Sequence, residues 1–436
     1  MLNEYQQIAF ELVKNGKSVF ITGSPGTGKS YLIKEIIQYL KSTEKTYAIT
    51  SSTGCSAALI GGQTIHSFLG MGINRSIENI ITNLKKYKTK YDKIQNNEVL
   101  IIDEISMIDD HTLNNISEIL KMIKNNKEEF GNTQIVFVGD FCQLSPVSGD
   151  FCFKSISWKT LNPICINLVE LVRQKDDTVF QKILQEIRFG KCSKNTKKLL
   201  ENMKNTVFEQ NIKPTRLFSL NSDVDIINNN EYEKMYQKLH NKKVFDANII
   251  ECFPYSLTEE NLLHLLTDYL HNDEVDIFRY NPFTNDKNKT NLKDYSIDLY
   301  KGLQVMVTRN INVERGLTNG TTGIIVNLNT ECVFVKDLSS NFIHSVYYYT
   351  DKNENNGIYY KFMPIKLAYA LSIHKSQGAT LNAIEVDGSS SIFAPGQIYT
   401  ALSRARKMSS IKLINFDNIS IITNASVKQF YEDIKK

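Results

Sequence analysis

The chain has 436 residues, of which 42% are hydrophobic and 22% are charged, and its formal net charge is +4. At roughly 100–200 residues per domain this length predicts two to four domains, and the small net charge excludes binding of nucleic acid through overall basicity. No apolar run reaches the roughly 18 residues of a membrane span, and the N-terminus does not resemble a targeting presequence. The seven cysteines have no C-x₂-C spacing, which favours a reducing compartment over a structural zinc site.

Apolar, strand-like runs alternate with segments of helical spacing over most of the chain. In residues 1–150, strands are predicted at 18–23, 46–50, 99–103 and 133–140, and helices at 31–41 and 111–124. A second alternation predicts helices at 178–190, 222–239 and 397–406, and strands at 215–220, 367–374, 383–388 and 411–416. Such alternation is typical of parallel sheets covered by helices on both faces.

A stretch of different character interrupts the second alternation. Residues 303–311 and 322–329 alternate as strands do, and the pair Asn319 and Gly320 between them is a turn signal. Residues 241–300 give no clear pattern. We therefore predict an α/β fold with a first domain at 1–172, a second at 173–240 and 362–436, and a β-rich insertion at 241–361.

Residues 23–30 fit the phosphate-loop pattern G-x-x-x-x-G-K-[ST], after a predicted strand and at the start of a predicted helix. Glycines let backbone N–H groups turn toward phosphate oxygens, and the helix N-terminus adds partial positive charge. Lys29 can reach the β- and γ-phosphates, and the Ser30 hydroxyl can ligate Mg²⁺. The alternative is a glycine-rich turn that only caps a helix. The predicted nucleotide-binding residues of this loop are Gly23, Ser24, Pro25, Gly26, Thr27, Gly28, Lys29 and Ser30.

The run VLIIDE at 99–104 delivers two carboxylates at the end of a buried strand, the edge at which α/β sheets bind ligands. Asp103 would hold Mg²⁺, and Glu104 is placed to polarise an attacking water as general base. Two acids that only cap a loop are the alternative. Beyond the next predicted strand, Gln143 can sense a γ-phosphate. These residues predict nucleotide binding and hydrolysis.

Six segments in order, GSPGTGKS, IIDEISMID, GDFCQLSPV, ELVRQ, IHKSQGAT and YTALSRAR, resemble the motif set of superfamily 1 helicases. More narrowly, the chain resembles the Pif-type helicases of the RecD-like, 5′-to-3′ branch. The resemblance runs from Gln6 to about Phe416 and is weakest at 241–300 and 331–360. It implies two RecA-like domains with ATP between them, a small strand-separating wedge within 64–98, and a β-barrel-like insertion in the second domain.

The resemblance also implies roles for single residues. Gln6 matches the family's adenine-reading glutamine. Arg173 and Arg404 match arginines that reach the γ-phosphate from the second domain, Arg404 as the arginine finger; alone, either could be a surface ion pair. Gln143 and Gln377, with Gly378 beside it, match residues that couple nucleotide state to domain closure.

A translocating protein needs a groove that follows the nucleic-acid backbone and surfaces on which bases stack. The predicted DNA contacts are Ser52, Thr53, Thr64, His66, Phe68, His374 and Lys375. Phe68 and His374 could equally be core residues. The lysines at 85–90 suggest a basic patch, but apolar residues recur every three or four positions from Ile77 to Ile94, which predicts one amphipathic helix with its lysines on the solvated face.

The sequence therefore predicts an ATP- and Mg²⁺-dependent DNA helicase that moves 5′ to 3′ on single-stranded DNA and unwinds from single-strand–duplex junctions. An RNA-directed motor of the same superfamily and a nucleotide-switched binding protein are the alternatives. We expect a monomer, no membrane association, and a single-strand-binding or replication protein as a partner. The expected location is the cytoplasm, near the nucleoid, for a bacterial or phage protein, and the nucleus or a viral factory otherwise.

Overall fold

The computed structural model describes residues 2–72, 76–170, 177–208, 214–241 and 299–434, the last range with short gaps at 300, 310, 313–314, 316, 318–320, 330–331, 339, 341, 353–358, 380, 382, 390–391 and 418–419. The chain divides into two compact units, one made of Met1–Asp225 with Ala370–Lys436 and the other of Ile226–Tyr369. The predicted domain boundaries stay predictions. No helix in the described part of the chain is long and apolar enough to cross a bilayer.

A six-stranded sheet forms the N-terminal part of the first unit, with strand order β3-β2-β4-β5-β1-β6 and every neighbouring pair parallel. Its strands are β1 (Val19–Gly23), β2 (Tyr47–Ser51), β3 (Gln63–Thr64), β4 (Val99–Asp103), β5 (Gln134–Gly139) and β6 (Ile164–Leu168). The predicted parallel sheet is confirmed. Every residue of β1 and β4 is buried, as expected for strands covered on both faces.

Eight helices in the described residues accompany this sheet. They are α1 (Glu4–Lys14), α2 (Lys29–Ser42), α3 (Gly54–Leu59), α4 (Ile65–Leu69), α5 (Ile77–Lys86), α6 (Lys88–Gln95), α7 (Asp110–Lys124) and α8 (Ile156–Leu161). Leu32, Ile33 and Ile36 of α2 share one hydrophobic core with Ile21 of β1 and Ile101 of β4. This packing fixes the start of α2 at the carboxyl end of β1, where the phosphate loop lies.

The single amphipathic helix predicted from 77 to 94 is instead two helices, because Tyr87 leaves the helical conformation (φ −111°, ψ 75°). Like charges three and four residues apart, such as Lys85 with Lys88, disfavour one continuous helix there. Tyr87 is 61% exposed, so its placement on the apolar stripe was wrong. The lysines do lie on the solvated side, since Lys85, Lys86 and Lys88 are exposed, as predicted.

A four-stranded parallel sheet with order β15-β7-β16-β17 completes the first unit. Its strands are β7 (Thr215–Phe218), β15 (Ala370–Ser372), β16 (Ile384–Asp387) and β17 (Ile411–Ile414), and the later helices of the chain are α9 (Thr178–Arg188), α10 (Lys194–Asn202), α11 (Asn221–Asn241), α12 (Gln397–Leu402) and α13 (Ala425–Asp433). The helix predicted at 397–406 ends early, at Leu402. The strand predicted at 367–374 is interrupted, so that only Ala370–Ser372 joins this sheet.

The C-terminal helix α13 contributes to the aromatic core of the first sheet. The Phe430 ring stacks on Phe153 at 4.5 Å between centroids and meets the edge of Phe141 at 5.3 Å. Phe20 of β1 lies 5.2 Å from Trp158 in the same cluster. No pattern in the sequence predicted that residue 430 packs beside residue 20.

The second unit contains a five-stranded antiparallel sheet with order β11-β10-β9-β8-β14 and a separate two-stranded sheet of β12 and β13. Its strands are β8 (Gln304–Val307), β9 (Thr322–Leu328), β10 (Cys332–Asp337), β11 (Ile343–Tyr347), β12 (Tyr349–Lys352), β13 (Tyr359–Phe362) and β14 (Ile365–Leu367). For the described part of the predicted insertion, from residue 299 to 361, the β-rich character is confirmed. The turn predicted at Asn319 and Gly320 lies outside the described residues.

Candidate nucleotide site

The phosphate loop joins β1 to α2 through two glycines with positive φ, Gly26 (94°) and Gly28 (84°), and Gly28 is the N-cap of α2. The left-handed conformation of Gly28 requires glycine, and a Cβ there would lie 2.5 Å from the Gln6 side-chain nitrogen and displace that amide. The Thr27 hydroxyl donates to Ser24 O at 2.9 Å and closes the loop on itself. Of the remaining loop residues, Pro25 is buried and Ser30 is exposed.

Lys29, the first residue of α2, turns its ammonium group back into the loop. Its Nζ donates to Gly23 O at 2.6 Å and to Ser24 O at 3.2 Å. Burial lowers the pKa of Lys29, and the carboxylates of Asp140, Glu104 and Asp103 oppose that shift. The ammonium group therefore lies where a polyphosphate would need a cation.

Gln6, on the first helix α1, contacts the phosphate loop. Asn3 and Gln6 form a capping box at the start of α1, with Gln6 N donating to Asn3 Oδ1 at 2.9 Å and Asn3 N to Gln6 Oε1 at 3.1 Å. The Gln6 amide also donates to Thr27 O at 3.3 Å. The structure places Gln6 against the phosphate loop, and its role in reading adenine stays a prediction.

The two carboxylates of the second motif lie side by side at the end of β4. Glu104 N donates to Asp103 Oδ1 at 2.9 Å, and Glu104 itself has left-handed dihedrals (φ 50°, ψ 45°). Burial and the charge of Glu104 raise the pKa of Asp103 to about 7, while the Glu104 N–H and Lys29 act in the opposite direction. A non-glycine residue in this conformation is strained, as is common at functional sites.

A predicted residue from the second parallel sheet, Gln377, contacts one of these carboxylates. Gln377 follows the short 3-10 helix His374–Ser376, and its Nε2 donates to Glu104 Oε2 at 3.0 Å. The side-chain oxygens of Gln143 and Gln377 are buried and have no hydrogen-bond partner in the described part of the chain. An amide oxygen without a partner, close to a candidate general base, is suited to accept a hydrogen bond from water.

Arg404 lies just after α12 and is only 2% exposed. Its Nε donates to Thr400 O at 3.0 Å, and Nη2 donates to the Ser403 hydroxyl at 2.8 Å. Burial lowers the pKa of Arg404, and Glu104 acts in the opposite direction. Arg404 is therefore no surface ion pair, and its charge is felt at Glu104. Arg173 lies outside the described residues.

Asp140, which directly follows β5, holds a buried network that the motifs did not predict. Arg188 of α9 donates to both carboxylate oxygens, from Nε at 3.1 Å and from Nη2 at 3.0 Å. Tyr399 of α12 donates to Oδ2 at 3.0 Å, and Tyr431 of α13 donates to Oδ1 at 2.9 Å. The sequence does hint at this ion pair. Arg188 lies on the apolar face of α9 with Leu184 and Ile187, and a charge buried there needs a partner of opposite charge.

An Asp140→Asn variant is expected to lose roughly 3–5 kcal/mol of unfolding free energy near neutral pH, because it leaves the buried Arg188 charge unpaired. Burial alone would raise the pKa of Asp140, but Arg188 and Lys29 outweigh it and hold the pKa below its usual 3.8. A lowered pKa stabilises the folded state above the unfolded-state pKa, and this stabilisation is lost as the pH falls through the folded-state pKa. In urea unfolding, the difference between the two proteins should stay constant above about pH 5 and shrink below about pH 4. A difference that does not change with pH would contradict this assignment.

Gly396, the N-cap of α12, approaches the loop that carries Gln143 so closely that a Cβ would overlap the carbonyl oxygens of Cys142 and Gln143. A Gly396→Ala variant is expected to lose roughly 2–4 kcal/mol, the sum of left-handed backbone strain and overpacking. The matched control is Gly16→Ala, since Gly16 has a similar φ (74°, against 78° at Gly396) and nothing within 4 Å of the added Cβ. Thermal unfolding gives the loss of stability of each variant, and the difference between the two losses measures the cost of the overlap at Gly396. Equal losses in the two variants would show that the close approach is absent.

The residues predicted to contact single-stranded DNA differ in how exposed their side chains are. His66 and Lys375 are exposed, Ser52 and Thr53 are half-buried, and the Ser52 hydroxyl donates to Glu104 O at 3.0 Å. Thr64 caps α4 by accepting from Ser67 N at 3.1 Å.

For two of the predicted DNA contacts, Phe68 and His374, the sequence also allows a position in the core, and the two side chains differ in burial. Phe68 of α4 is only 2% exposed, which favours the core role, and its contact with DNA stays a prediction. His374 is half-buried, and burial lowers its pKa, which favours the neutral imidazole at neutral pH.

Three features together define the class of the protein. A glycine-rich loop leads from a parallel strand into a helix, two carboxylates end a strand of the same sheet, and a second parallel sheet brings Gln377 and Arg404 to them. This is the architecture of phosphate-loop NTPases, with two parallel α/β sheets.

Known proteins place the chain more narrowly. The family profile described as PIF1-like helicase matches residues 1–198, and the profile described as DNA helicase Pif1, 2B domain, matches residues 283–328. The crystal structure of Pif1 helicase from Candida albicans is 30% identical with a TM-score of 0.80, covering 100% of this chain and 99% of that chain. The chain belongs to the family of PIF1-like helicases.

Two further similarities bear on function. The ATP-dependent DNA helicase PIF1 of Homo sapiens is 30% identical over 448 residues, which is 100% of this chain but 64% of the relative. The chain thus spans less than two thirds of that protein. The crystal structure of Bacteroides Pif1 bound to single-stranded DNA is 25% identical with a TM-score of 0.72, covering 100% of this chain and 97% of that chain.

Proposed function

We propose that the chain is an ATP- and Mg²⁺-dependent DNA helicase that moves 5′ to 3′ on single-stranded DNA. The observation that carries the proposal is the hydrogen bond from Gln377 Nε2 to Glu104 Oε2 at 3.0 Å. It joins the candidate general base to a residue of the second parallel sheet, so a change at the γ-phosphate would be felt by both sheets. The human relative is named an ATP-dependent DNA helicase, and the Bacteroides relative was solved with single-stranded DNA, which supports DNA as the substrate.

Each side chain has a task in this proposal. The loop N–H groups and Lys29 bind the phosphates, and Glu104 accepts a proton from the attacking water, which the free amide oxygens of Gln143 and Gln377 orient. Arg404 stabilises negative charge that develops on the γ-phosphate. Since Arg404 and Gln377 belong to the second sheet, they act fully only when the two sheets are close, and hydrolysis is thereby linked to motion.

The residues present fit a magnesium ion held mainly by the nucleotide. Asp103 and Glu104 lie together in a buried site, where a cation would offset their repulsion. Ser30 is the second residue of α2, directly after Lys29. Mg²⁺ usually keeps several waters and phosphate oxygens as ligands, so a carboxylate and a hydroxyl from the protein are enough to place it. Ser30 and Asp103 would hold the ion, which supplies charge neutralisation on the phosphates.

The strand is proposed to run past His66 and Lys375, the exposed members of the predicted contact set. A grip on backbone and stacked bases predicts little sequence preference. Glu104 of the first sheet and Gln377 of the second meet within the same chain, so a monomer is the proposed working unit. Junctions between single-stranded and duplex DNA are the proposed site of unwinding, and a single-strand-binding or replication protein is the proposed partner.

The test is ATP turnover with and without single-stranded DNA, followed by strand displacement on duplexes tailed at the 5′ or the 3′ end. Turnover stimulated by DNA, with unwinding only from the 5′ tail, is the expected result. Unwinding only from a 3′ tail would overturn the polarity, and stimulation by RNA alone would favour the RNA-directed motor. No stimulation by either nucleic acid would leave a nucleotide-switched binding protein.

A further inference from the structure

Helices α9, α12 and α13 converge on one carboxylate at the end of β5. We infer that Asp140 is a positioning residue for the proposed ATP hydrolysis, which holds the Gln143 loop in register with the helix that leads to Arg404. The inference rests on the proposed function, because the reaction that it serves is the hydrolysis of ATP.

On the side of the first sheet, Asp140 organises the loop that follows β5. Its carboxylate oxygen Oδ1 accepts from Cys142 N at 3.1 Å, and its backbone oxygen accepts from Gln143 N at 2.9 Å. Both bonds are local and close a tight turn. The position of the Gln143 amide, which has a buried oxygen without a partner, therefore depends on where Asp140 is held.

The same network extends to the strand that precedes the phosphate loop. The Tyr431 hydroxyl lies 2.6 Å from the Thr22 hydroxyl of β1 and accepts from Phe141 N at 3.1 Å. Tyr431 therefore joins β1, β5 and α13 at one oxygen atom. A shift of Asp140 would move Thr22, which lies directly before the loop at Gly23.

On the side of the second sheet, Tyr399 is the connection that reaches Arg404. Its hydroxyl donates to Asp140 Oδ2 at 3.0 Å from the middle of α12, and Arg404 lies five residues further along. Gly396 at the start of the same helix touches the carbonyls of Cys142 and Gln143. Two contacts thus fix α12 against the Gln143 loop, one at the helix start and one at Tyr399.

Arg188 keeps the Asp140 carboxylate ionised, whereas the bond that joins this carboxylate to α12 comes from Tyr399. It donates twice to Asp140, and both side chains are buried, with 7% and 0% of their surface exposed. Loss of the Tyr399 hydroxyl would leave this ion pair intact. The fold and the positioning role can therefore be separated by removing one oxygen atom.

The decisive variant is Tyr399→Phe, measured by steady-state ATP turnover with saturating single-stranded DNA and by base pairs unwound per ATP. We expect kcat to fall by about tenfold with less than about a twofold change in KM for ATP, since misplaced reacting groups lower the rate more than binding. Base pairs unwound per ATP should fall as well. The matched control is Ser117→Ala, which removes a buried hydroxyl that donates to Glu129 at 2.8 Å and accepts from Phe130 N at 2.9 Å, away from the site.

If Tyr399→Phe and Ser117→Ala change melting temperature and kcat alike, Tyr399 only supports the fold and the inference fails. Wild-type kinetics in Tyr399→Phe would also overturn it. A double-mutant cycle tests the route, because Tyr399→Phe should add nothing to kcat in an Asp140→Asn background if it acts through Asp140. Additive losses would refute that route. If Asp140→Asn does not fold, the comparison of Tyr399→Phe with Ser117→Ala decides alone. Failure of the proposed function is separate, since the wild-type protein itself would then show no DNA-stimulated turnover.

Discussion

Replacing Lys29 with alanine is expected to abolish ATP turnover and unwinding while single-stranded DNA binding stays largely intact. The Lys29 ammonium is the cation held inside the phosphate loop, 2.6 Å from Gly23 O, among the carboxylates of Asp140, Glu104 and Asp103. Without it, the loop keeps its N–H groups but has no full positive charge to neutralise the β- and γ-phosphates. The predicted DNA contacts lie on elements other than the phosphate loop and α2, so the affinity for single-stranded DNA should change little. Competition with an unlabelled oligonucleotide measures that affinity.

The matched control for this prediction is Lys34→Ala. Lys34 lies on the same helix, α2, with its side chain exposed, so the variant removes the same charge outside the loop. Glu104→Gln should reproduce the loss of turnover by a different route, because an amide cannot take the proton of the attacking water. DNA binding that disappears in step with turnover would show that Lys29 and Glu104 hold the fold instead of serving the reaction.

The second large effect is expected for Arg404→Ala, which should keep nucleotide binding and lower the rate of hydrolysis by a factor on the order of 10³. The guanidinium is buried within reach of the Glu104 charge and acts in this proposal on charge that develops only during the reaction. Single-turnover hydrolysis and binding of a fluorescent nucleotide, measured side by side, separate the two quantities.

Arg404 also donates to Thr400 O and to the Ser403 hydroxyl, so the alanine variant loses contacts at the end of α12. Arg404→Lys addresses this, since it keeps the charge but not the planar fork and should still be strongly impaired. Arg406→Ala is the matched control, because Arg406 is exposed two residues further on. Turnover that is unchanged in Arg404→Ala would remove Arg404 from the site.

The elements of this fold were predictable where one local signal dominated. The strands β1 and β4 are uninterrupted apolar runs, and the phosphate loop follows the first of them, so sequence spacing alone located Lys29 beside Asp103 and Glu104. The Asp140 network was not predictable in this way. Its bonds join residues separated by 48, 259 and 291 positions, and nothing in the local pattern states which distant tyrosine meets which carboxylate.

The burial of two aromatic side chains could not be derived from the sequence, for a common reason. Phe68 is predicted either to contact DNA or to lie in the core and is 2% exposed, whereas Tyr87 is predicted on an apolar stripe and is 61% exposed. Periodicity gives the direction of a side chain only while the helix continues. α4 is a short helix of 5 residues, and α5 ends just before Tyr87, so neither position lies within a long enough periodic segment.

The packing of α13 has a consequence for the order in which the protein folds during synthesis. Phe430 completes an aromatic core whose other members include Phe20 and Phe141, which lie about 410 and 290 residues earlier in the chain and so leave the ribosome first. Until residue 430 emerges, the nascent first sheet lacks one of the rings that cover its aromatic face. Contacts across so long a sequence separation form slowly and leave apolar surface exposed in the meantime. The step that closes this core during synthesis is therefore the arrival of α13, after both parallel sheets have been made.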